Sequence, residues 1–330
     1  MKLITRPLLP KPAGLDPHPV GGRGSWLGGM GGAPVAFSAQ TLASIEVGTN
    51  TPLNVGTLQL GFRSGYWIDE IRMGAWTNQL GGVTSLNGVG GVVAFQFQTG
   101  TKQFSKNAVP MGLYAPVFSQ NDFGDAQTAG AGTYVSFSRV RWKLPKPLFM
   151  NPGDAIQCNV FNRSTVLSNK PINASVTYIG RALAQGAQPP ISRQVPWIGW
   201  FEKDSNLAYA ECTNELQNPF TSRLIVERFT SRTYRSTTGE TPVSSLMLSQ
   251  LPNAAGDGYC EVRLEDSLGY AIVPQFAPIG AVFDTSRHAW TFSRTMGPRE
   301  QFNLSMRNAG TVTTRFFSQV AMIGYRDEEV

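Results

Sequence analysis

A segment near the end of the chain repeats a segment from its middle. Residues 150–162 and 296–308 align at a constant offset of 146, with Met, Pro and Asn identical at the same places. The apolar residues that alternate along both segments also coincide: Ile156, Cys158 and Val160 align with Phe302, Leu304 and Met306. Alternation with a period of two is typical of a β-strand with one buried face. The repeat therefore predicts that one β-domain occurs twice.

Three shorter matches occur as well, and together with the main match they have the same order in both halves of the chain. Residues 176–180 align with 320–324, residues 68–70 with 225–227, and residues 109–112 with 277–280. Their offsets differ, between 144 and 168, as loops of unequal length would require. The alternative is two unrelated β-domains that share common strand and turn chemistry.

Length and composition agree with two β-domains. A chain of 330 residues has room for two domains of about 150 residues, each with its own core. It contains 35 Gly and 22 Pro, and only 15% of its residues are charged. No long stretch keeps a period of 3.6 residues, so the pattern indicates strands joined by many tight turns.

We predict an all-β fold of two tandem eight-stranded jelly rolls, a double jelly roll with an extended N-terminal arm. Strands with long loops and no helices fit a jelly roll better than a meander. The predicted parts are a Gly/Pro-rich arm (1–36), a first jelly roll (37–182), a linker (183–195) and a second jelly roll (196–330). Strands are predicted at 66–73, 92–98, 133–143, 154–162 and 173–180, and at 222–232, 259–265, 279–284, 287–294, 300–306 and 313–324.

The N-terminal arm carries the candidate binding residues. Residues 1–36 contain eight Gly and six Pro, which break regular structure. Lys2, Arg6, Lys11 and Arg23 against one Asp give the arm a net charge of +3. Such a charge favours an anionic surface, either nucleic acid or lipid head groups, and a solvated arm is the alternative. Trp26 is an apolar anchor that favours contact with a neighbouring subunit.

Catalytic chemistry is missing from the sequence. The only histidines, His18 and His288, cannot supply the cluster that a metal-dependent cupin needs. Three cysteines make no disulfide framework, and no nucleophile, phosphate-loop or zinc motif is present. Adjacent carboxylates such as Asp69 and Glu70 point to opposite faces of a strand, so a glycosidase pair is not indicated. We therefore predict no enzymatic activity, no cofactor and no metal.

No membrane helix or secretory signal is predicted. The chain has no apolar run of about 18 residues, and its N-terminus lacks the continuous apolar core of a signal peptide.

A duplicated β-domain without catalytic groups, preceded by a basic Gly/Pro-rich arm, resembles the double jelly-roll major capsid proteins of tailless icosahedral viruses. These include the adenovirus-like lineage and small membrane-containing phages. The resemblance covers residues 37–326 and rests on architecture. It implies two upright barrels side by side, with three copies forming a pseudo-hexagonal tile. It also implies tower or interface loops at 74–91, 119–132 and 233–258, and an arm that contacts an internal membrane or neighbouring capsomers.

The expected function is therefore that of a major capsid protein in the virion, a bacteriophage-type structural protein assembled in the host cytoplasm. Its expected partners are itself, penton or minor capsid proteins, and a membrane or genome bound through the arm. The alternative is another virion protein, or a spike-like β-sandwich that binds a receptor or carbohydrate. That alternative would concentrate aromatic residues in one exposed set of loops. Here the seven tryptophans are scattered from Trp26 to Trp290.

Overall fold

The structure is a computed structural model. The residues it describes are 34–40, 45, 49–53, 65–77, 93–100, 102–114, 126–129, 133–163, 172–184, 188–205, 211–236, 260–283, 291–309 and 315–329. The arm residues 1–33 lie outside them.

The first half of the chain forms two antiparallel sheets. The first sheet has the order β1-β10-β3-β8-β7, from Pro34–Gln40, Asn173–Ala182, Tyr66–Thr77, Thr133–Met150 and Ala126–Ala129. The second sheet has the order β2-β9-β4-β5, from Asn50–Leu53, Ile156–Asn162, Val93–Thr99 and Lys102–Gln103. Strand β6 (Val109–Pro110) also pairs with β4 and leads into a 3-10 turn at Met111–Leu113.

The second half repeats this arrangement. One sheet has the order β11-β18-β13-β16, from Ser192–Ser205, Arg315–Glu329, Leu224–Ser236 and Thr291–Met296. The other has the order β12-β17-β14-β15, from Glu211–Gln217, Gln301–Asn308, Cys260–Asp266 and Ala271–Pro278. A single helical turn, Ile279–Val282, follows β15.

The two halves have the same topology. The order β1-β10-β3-β8 corresponds strand by strand to β11-β18-β13-β16, and β2-β9-β4-β5 corresponds to β12-β17-β14-β15. Two facing antiparallel sheets with this connectivity form a jelly roll. The predicted all-β fold of two tandem jelly rolls is therefore confirmed, and among the described strands β7 has no counterpart in the second barrel.

The repeated Pro marks the same turn in both barrels. In Asn151–Asp154 the N–H of Asp154 donates to the carbonyl of Asn151, and the Asp154 carboxylate accepts the Asn151 N–H at 2.9 Å. In Gly297–Glu300 the Glu300 carboxylate accepts the Gly297 N–H at 2.8 Å. Asp154 and Glu300 align in the sequence because each carboxylate closes this turn.

The third position of this turn has a positive φ, at +88° for Gly153 and 64° for Arg299. We expect Gly153→Ala to destabilise the protein by about 1–2 kcal/mol, the cost of a side chain in the left-handed region. Arg299→Gly should stabilise it, by at most about 1 kcal/mol, because glycine also loses more entropy on folding. Urea unfolding of both variants measures the two signs. Equal effects of the same sign would contradict this account.

Each barrel also has a β-bulge at an equivalent position. Gly180 pairs with Ile68, but its neighbour Ile179 pairs with Glu70, so Asp69 is the extra residue. In the second barrel Gly324 pairs with Val226 and Ile323 pairs with Arg228, so Glu227 is extra. Ile68 therefore corresponds to Val226. The sequence alignment of residues 68–70 with 225–227 was wrong by one residue.

One predicted strand is wrong. Residues 279–284 include the helical turn Ile279–Val282, which begins after Pro278 just as the 3-10 turn begins after Pro110. A short apolar run does not distinguish a buried strand from a buried helical turn. The strands that the sequence did not predict are β1, β2, β5, β6, β7, β11, β12 and β15. Strand β11 begins at Ser192, inside the predicted linker, and the predicted domain boundaries stay predictions.

Candidate assembly surfaces

Both barrels begin and end at one end of the molecule, here called the proximal end. Pro34 at the start of β1 pairs with Arg181 near the end of β10. Ser192 at the start of β11 pairs with Glu329 at the end of β18. The opposite, distal end holds the strand ends that flank the predicted loops 74–91, 119–132 and 233–258. Most residues of those loops lie outside the described residues.

Ion pairs join the two barrels at both ends. At the proximal end, Lys102 Nζ lies 3.0 Å from Glu328 Oε2, and Arg193 Nη1 lies 3.3 Å from Asp154 Oδ2. Toward the distal end, Arg163 Nη2 lies 2.5 Å from Glu202 Oε1. Contacts at both heights show that the barrels lie side by side and point in the same direction.

The middle of the junction is held by hydrogen bonds to backbone carbonyl groups of the first barrel. The Ile198 N–H on β11 donates to the Phe104 carbonyl of the first barrel at 2.7 Å. The buried Thr230 hydroxyl on β13 donates to the Leu113 carbonyl at 2.6 Å. Hydrogen bonds that are shielded from water fix the relative position of the two barrels better than exposed ion pairs do.

The core of the first barrel continues across the junction. Four buried side chains from β11 and β18 belong to it: Val195, Ile198, Ala321 and Ile323. On the same outer face, Arg228 donates to the Lys143 carbonyl at 3.3 Å. Burial lowers the pKa of the Arg228 guanidinium, an effect that the nearby Glu227 opposes. Each barrel therefore has its own core, and the first core extends onto the outer face of the second barrel.

The repeat contained a signal for this junction. Residues 176–181 of β10 read Val-Thr-Tyr-Ile-Gly-Arg, whereas residues 320–325 of β18 read Val-Ala-Met-Ile-Gly-Tyr. Thr and Arg on the outer face of the first barrel are thus replaced by Ala and Tyr in the second. A strand that is apolar on both faces is typical of burial on both sides. Comparing the two repeats would have identified the outer face of β18 as an interface.

An open cleft of about 660 Å³ lies along the junction. Its walls include Gln96, Lys106, Phe161, Arg163, Trp200 and Glu202. The Arg163 guanidinium lies 5.0 Å from the centre of the Trp200 ring, and Glu202 also accepts a hydrogen bond from Gln319. Arg163 and Glu202 form an ion pair across the junction, so among the described residues that line the cleft no carboxylate is left unpaired for acid–base chemistry.

The carboxylates Asp69 and Glu70 form ion pairs, and the thiol of Cys158 is buried. Asp69 accepts two hydrogen bonds from Arg181, at 3.0 and 3.1 Å, and Glu70 pairs with Arg72. Burial raises the pKa of the Cys158 thiol well above its ordinary value, which makes it a poor nucleophile. Within the described ranges, no group of three or more His, Cys, Asp or Glu side chains could hold a metal ion.

The proximal end of the second barrel carries an ordered hairpin between β14 and β15. The Asp266 carboxylate accepts the N–H groups of Leu268 and Tyr270, at 2.9 and 2.8 Å, and pairs with Arg294. Burial opposes ionisation, but the two N–H groups and the guanidinium outweigh it and hold the pKa of Asp266 below its ordinary value.

We expect Asp266→Asn to lower the free energy of unfolding by about 1–2 kcal/mol at neutral pH, because the charge that faces Arg294 is lost. A carboxyl whose pKa is lower in the folded state adds stability above its unfolded pKa and loses it as the pH falls through the folded pKa. The difference between the two proteins should therefore shrink below about pH 4. Urea unfolding at pH 7 and pH 3 measures it. A difference as large at pH 3 as at pH 7 would show that packing, not charge, is lost.

The candidate arm residues Lys2, Arg6, Lys11, Arg23 and Trp26 lie outside the described residues, as do both histidines. In the part of the chain that the structure describes, no helix is long and apolar enough to cross a membrane.

Comparison of the folded chain with known structures identifies the class of fold. The major capsid protein of STIV, Sulfolobus Turreted Icosahedral Virus, matches 88% of this chain and 96% of its own, with a TM-score of 0.50 and 12% identity. PBCV-1 VP54, whose crystal structure was fitted into a cryo-EM reconstruction of the virophage Sputnik, matches 90% of this chain and 94% of its own. Its TM-score is 0.50 and its identity is 11%.

No protein-family model matches the sequence, and no curated protein sequence matches it either. The structural matches extend over nearly the whole length of both partners, so they include both barrels together. The chain therefore has the double jelly-roll fold seen in these structures, and the resemblance stated from the sequence is confirmed at the level of fold.

Proposed function

We propose that this protein is a major capsid protein whose copies form the tiles of an icosahedral virion shell. The observation that carries the proposal is the junction: two jelly rolls stand side by side and point in the same direction, and the core of the first includes side chains from the second. The double jelly-roll fold of the STIV major capsid protein supports the same conclusion. A catalytic or ligand-binding role finds no comparable support.

The tile is a homotrimer in this proposal. Each chain supplies two barrels of the same topology, so three chains supply six barrels around one axis. A ring of six similar units approximates a hexagon, which can pack edge to edge in a closed shell. Its partners are other copies of itself, with penton or minor capsid proteins at the vertices. The virion is its final location, and assembly takes place in the host cytoplasm.

The mass of the purified protein in solution tests the trimer, under conditions that dissolve any shell. We expect three chains per particle, and electron microscopy of assembled material should show closed icosahedral shells with hexagonal tiles. A stable monomer at micromolar concentration that never assembles would overturn the proposal.

The N-terminal arm acts in assembly and not in folding. Strand β1 begins at Pro34, so deletion of residues 1–30 leaves every described strand intact. We expect that deletion to leave the thermal unfolding temperature nearly unchanged but to impair shell formation or membrane attachment. Calorimetry and electron microscopy of the same preparation measure the two effects. Loss of folding would instead show that the arm completes the first barrel.

Two further variants identify what the arm contacts. Replacing Lys2, Arg6, Lys11 and Arg23 with Gln should weaken binding to lipid head groups or nucleic acid and flatten its salt dependence. If the arm instead lies between neighbouring subunits, Trp26→Ala should impair assembly more than the charge changes do.

A further inference from the structure

The edge of strand β11 is paired over only part of its length. β11 is the outermost strand of its sheet, and its Ile198 N–H points away from β18 to the Phe104 carbonyl of the first barrel, at 2.7 Å. A parallel bridge joins Ser105 to Ile198 at this point. Beyond it the two chain segments separate, and residues 106–108 and 200–202 line the junction cleft of about 660 Å³. The cleft therefore opens where the pairing along β11 stops.

The register of β11 fixes which backbone groups face the cleft. Successive residues of an antiparallel strand direct their N–H and C=O groups alternately toward one side and the other. Since Ile198 points away from β18, so do Trp200 and Glu202. Pro196 has the same parity, and a Pro without an N–H is typical of the outer side of an edge strand. Within the described part of the chain, no other backbone group bonds to the outward N–H and C=O groups of Trp200 and Glu202.

An open strand edge at a cleft suits an extended peptide. Unpaired N–H and C=O groups along an edge bind another extended chain by continuing the sheet. The volume of the cleft lies within the range of about 300–1,000 Å³ that ligand sites occupy. Its walls also supply the half-buried side chains of Phe161 and Trp200. The indole N–H of Trp200 has no acceptor among the described residues, and a peptide carbonyl is a matching acceptor.

The charge of the walls indicates which peptide fits. Arg163 and Glu202 form an ion pair with each other. Lys106 is exposed, and its ammonium group has no carboxylate partner in the ranges that the structure describes. The cleft therefore carries one uncompensated positive charge, which favours a peptide with an acidic side chain.

We propose that the junction cleft binds an extended, acidic segment of another protein, which adds to the edge of β11 as one more strand. The backbone of this segment bonds to Trp200 and Glu202, and its carboxylate lies beside Lys106. In a capsid, such a strand attaches a second virion protein to the tile. The inference does not depend on the proposed function, since the cleft lies within a single chain.

Fluorescence anisotropy of a labelled peptide tests the site on the full-length protein. The probe is the C-terminally amidated peptide Thr-Val-Glu-Val-Thr, which has high β-propensity and one carboxylate. We expect saturable binding. Methylation of every backbone nitrogen keeps the side chains but removes the donors, and it should weaken binding by at least about tenfold. Equal binding of the two peptides would overturn strand addition.

Two substitutions of Glu202 separate the backbone from the side chain. Glu202→Pro and Glu202→Gln both remove the ion pair with Arg163, but only Pro also removes the outward N–H. Because that N–H does not bond to β18, the strand should stay intact, as it does at Pro196. We expect the Gln variant to bind the peptide within about twofold of wild type, and the Pro variant to bind at least about fivefold more weakly. Circular dichroism verifies that both are folded, and equal losses in the two variants would contradict the proposal.

A second cycle, at Lys106, keeps the inference testable if the Pro variant does not fold. Lys106→Gln should weaken binding of the Glu peptide by about two- to fivefold and leave binding of the same peptide with Gln in place of Glu unchanged. Equal effects on both peptides, or no binding of any peptide by the folded wild-type protein, would overturn the site. The capsid proposal would then stand, because it rests on the mass and assembly of the protein. Tighter binding of a peptide that copies residues 20–33 would show that the cleft holds the arm of this chain and not another protein.

Discussion

Replacing Gly324 with Ala should prevent stable folding of the second barrel. A Cβ at this position would lie 2.2 Å from the carbonyl oxygen of Ile225 and 3.1 Å from the Cα of Val226. Both are backbone atoms within the β-bulge, so neither can rotate away as a flexible side chain would. We expect a loss of at least about 3 kcal/mol, at the upper end of the range for overpacking. Chemical denaturation followed by circular dichroism measures it.

The equivalent Gly180→Ala should be at least as damaging, since its Cβ would lie 1.7 Å from the carbonyl oxygen of Trp67. Gly199→Ala is the matched control within a strand of the same fold. There the nearest atom is the Met322 Cε at 3.4 Å, an ordinary contact, and we expect a change within about 1 kcal/mol. If all three variants were equally mild, the bulges would have to relax freely, and the close approach of the strands would not matter.

The repeat predicted the fold because it falls on residues that each barrel needs for one structural reason. Pro152 and Pro298 occupy the same turn. The carboxylates of Asp154 and Glu300 close it, each accepting a hydrogen bond from a backbone N–H. Gly180 and Gly324 are required where a strand passes too close for any Cβ. Short-range features of this kind are visible in a sequence because the residue type itself carries the geometry.

Edge strands were harder to predict than central ones. Strand β1 has only Val35, Phe37 and Ala39 half-buried in the core, so its pattern is weak beside that of β9. The start of strand β11 was assigned to a linker because Pro189 and Pro190 lie just before it. The strand is buried on both faces, with Trp197 in its own core and Ile198 in the core of the other barrel, so its hydrophobic residues do not alternate.

The candidate site, too, was predictable from the sequence only in part. The lack of catalytic motifs is a statement about the sequence, which needs only residue types. The geometry of the site was not predictable, because the junction joins residues such as Leu113 and Thr230, which are far apart in the chain and belong to different barrels. Only the comparison of β10 with β18 contained a hint of it, through the apolar outer face of β18.

Replacing Trp142 with Ala should destabilise both barrels, although Trp142 belongs to the first. Its side chain is fully buried, with ring centres 4.8 Å from Tyr114 and 6.3 Å from Phe104. Removing a buried Trp costs about 3–5 kcal/mol, including the cavity that it leaves. Phe104 and the Met111–Leu113 turn are also what the second barrel docks on, so the cavity would loosen the junction as well.

Calorimetry shows whether the two barrels unfold together as one cooperative unit or independently of each other. Because Ile198 and Ile323 of the second barrel pack into the first core, the wild-type chain should unfold in one transition, and Trp142→Ala should shift that whole transition. Trp200→Ala is the matched control: Trp200 is only half-buried beside the cleft, and we expect about 1–2 kcal/mol from its lost packing and its contact with Arg163. Two transitions, with only one shifted by Trp142→Ala, would mean that the barrels fold independently. The junction would then be a docking contact that can open, and a tile built on it would not be rigid.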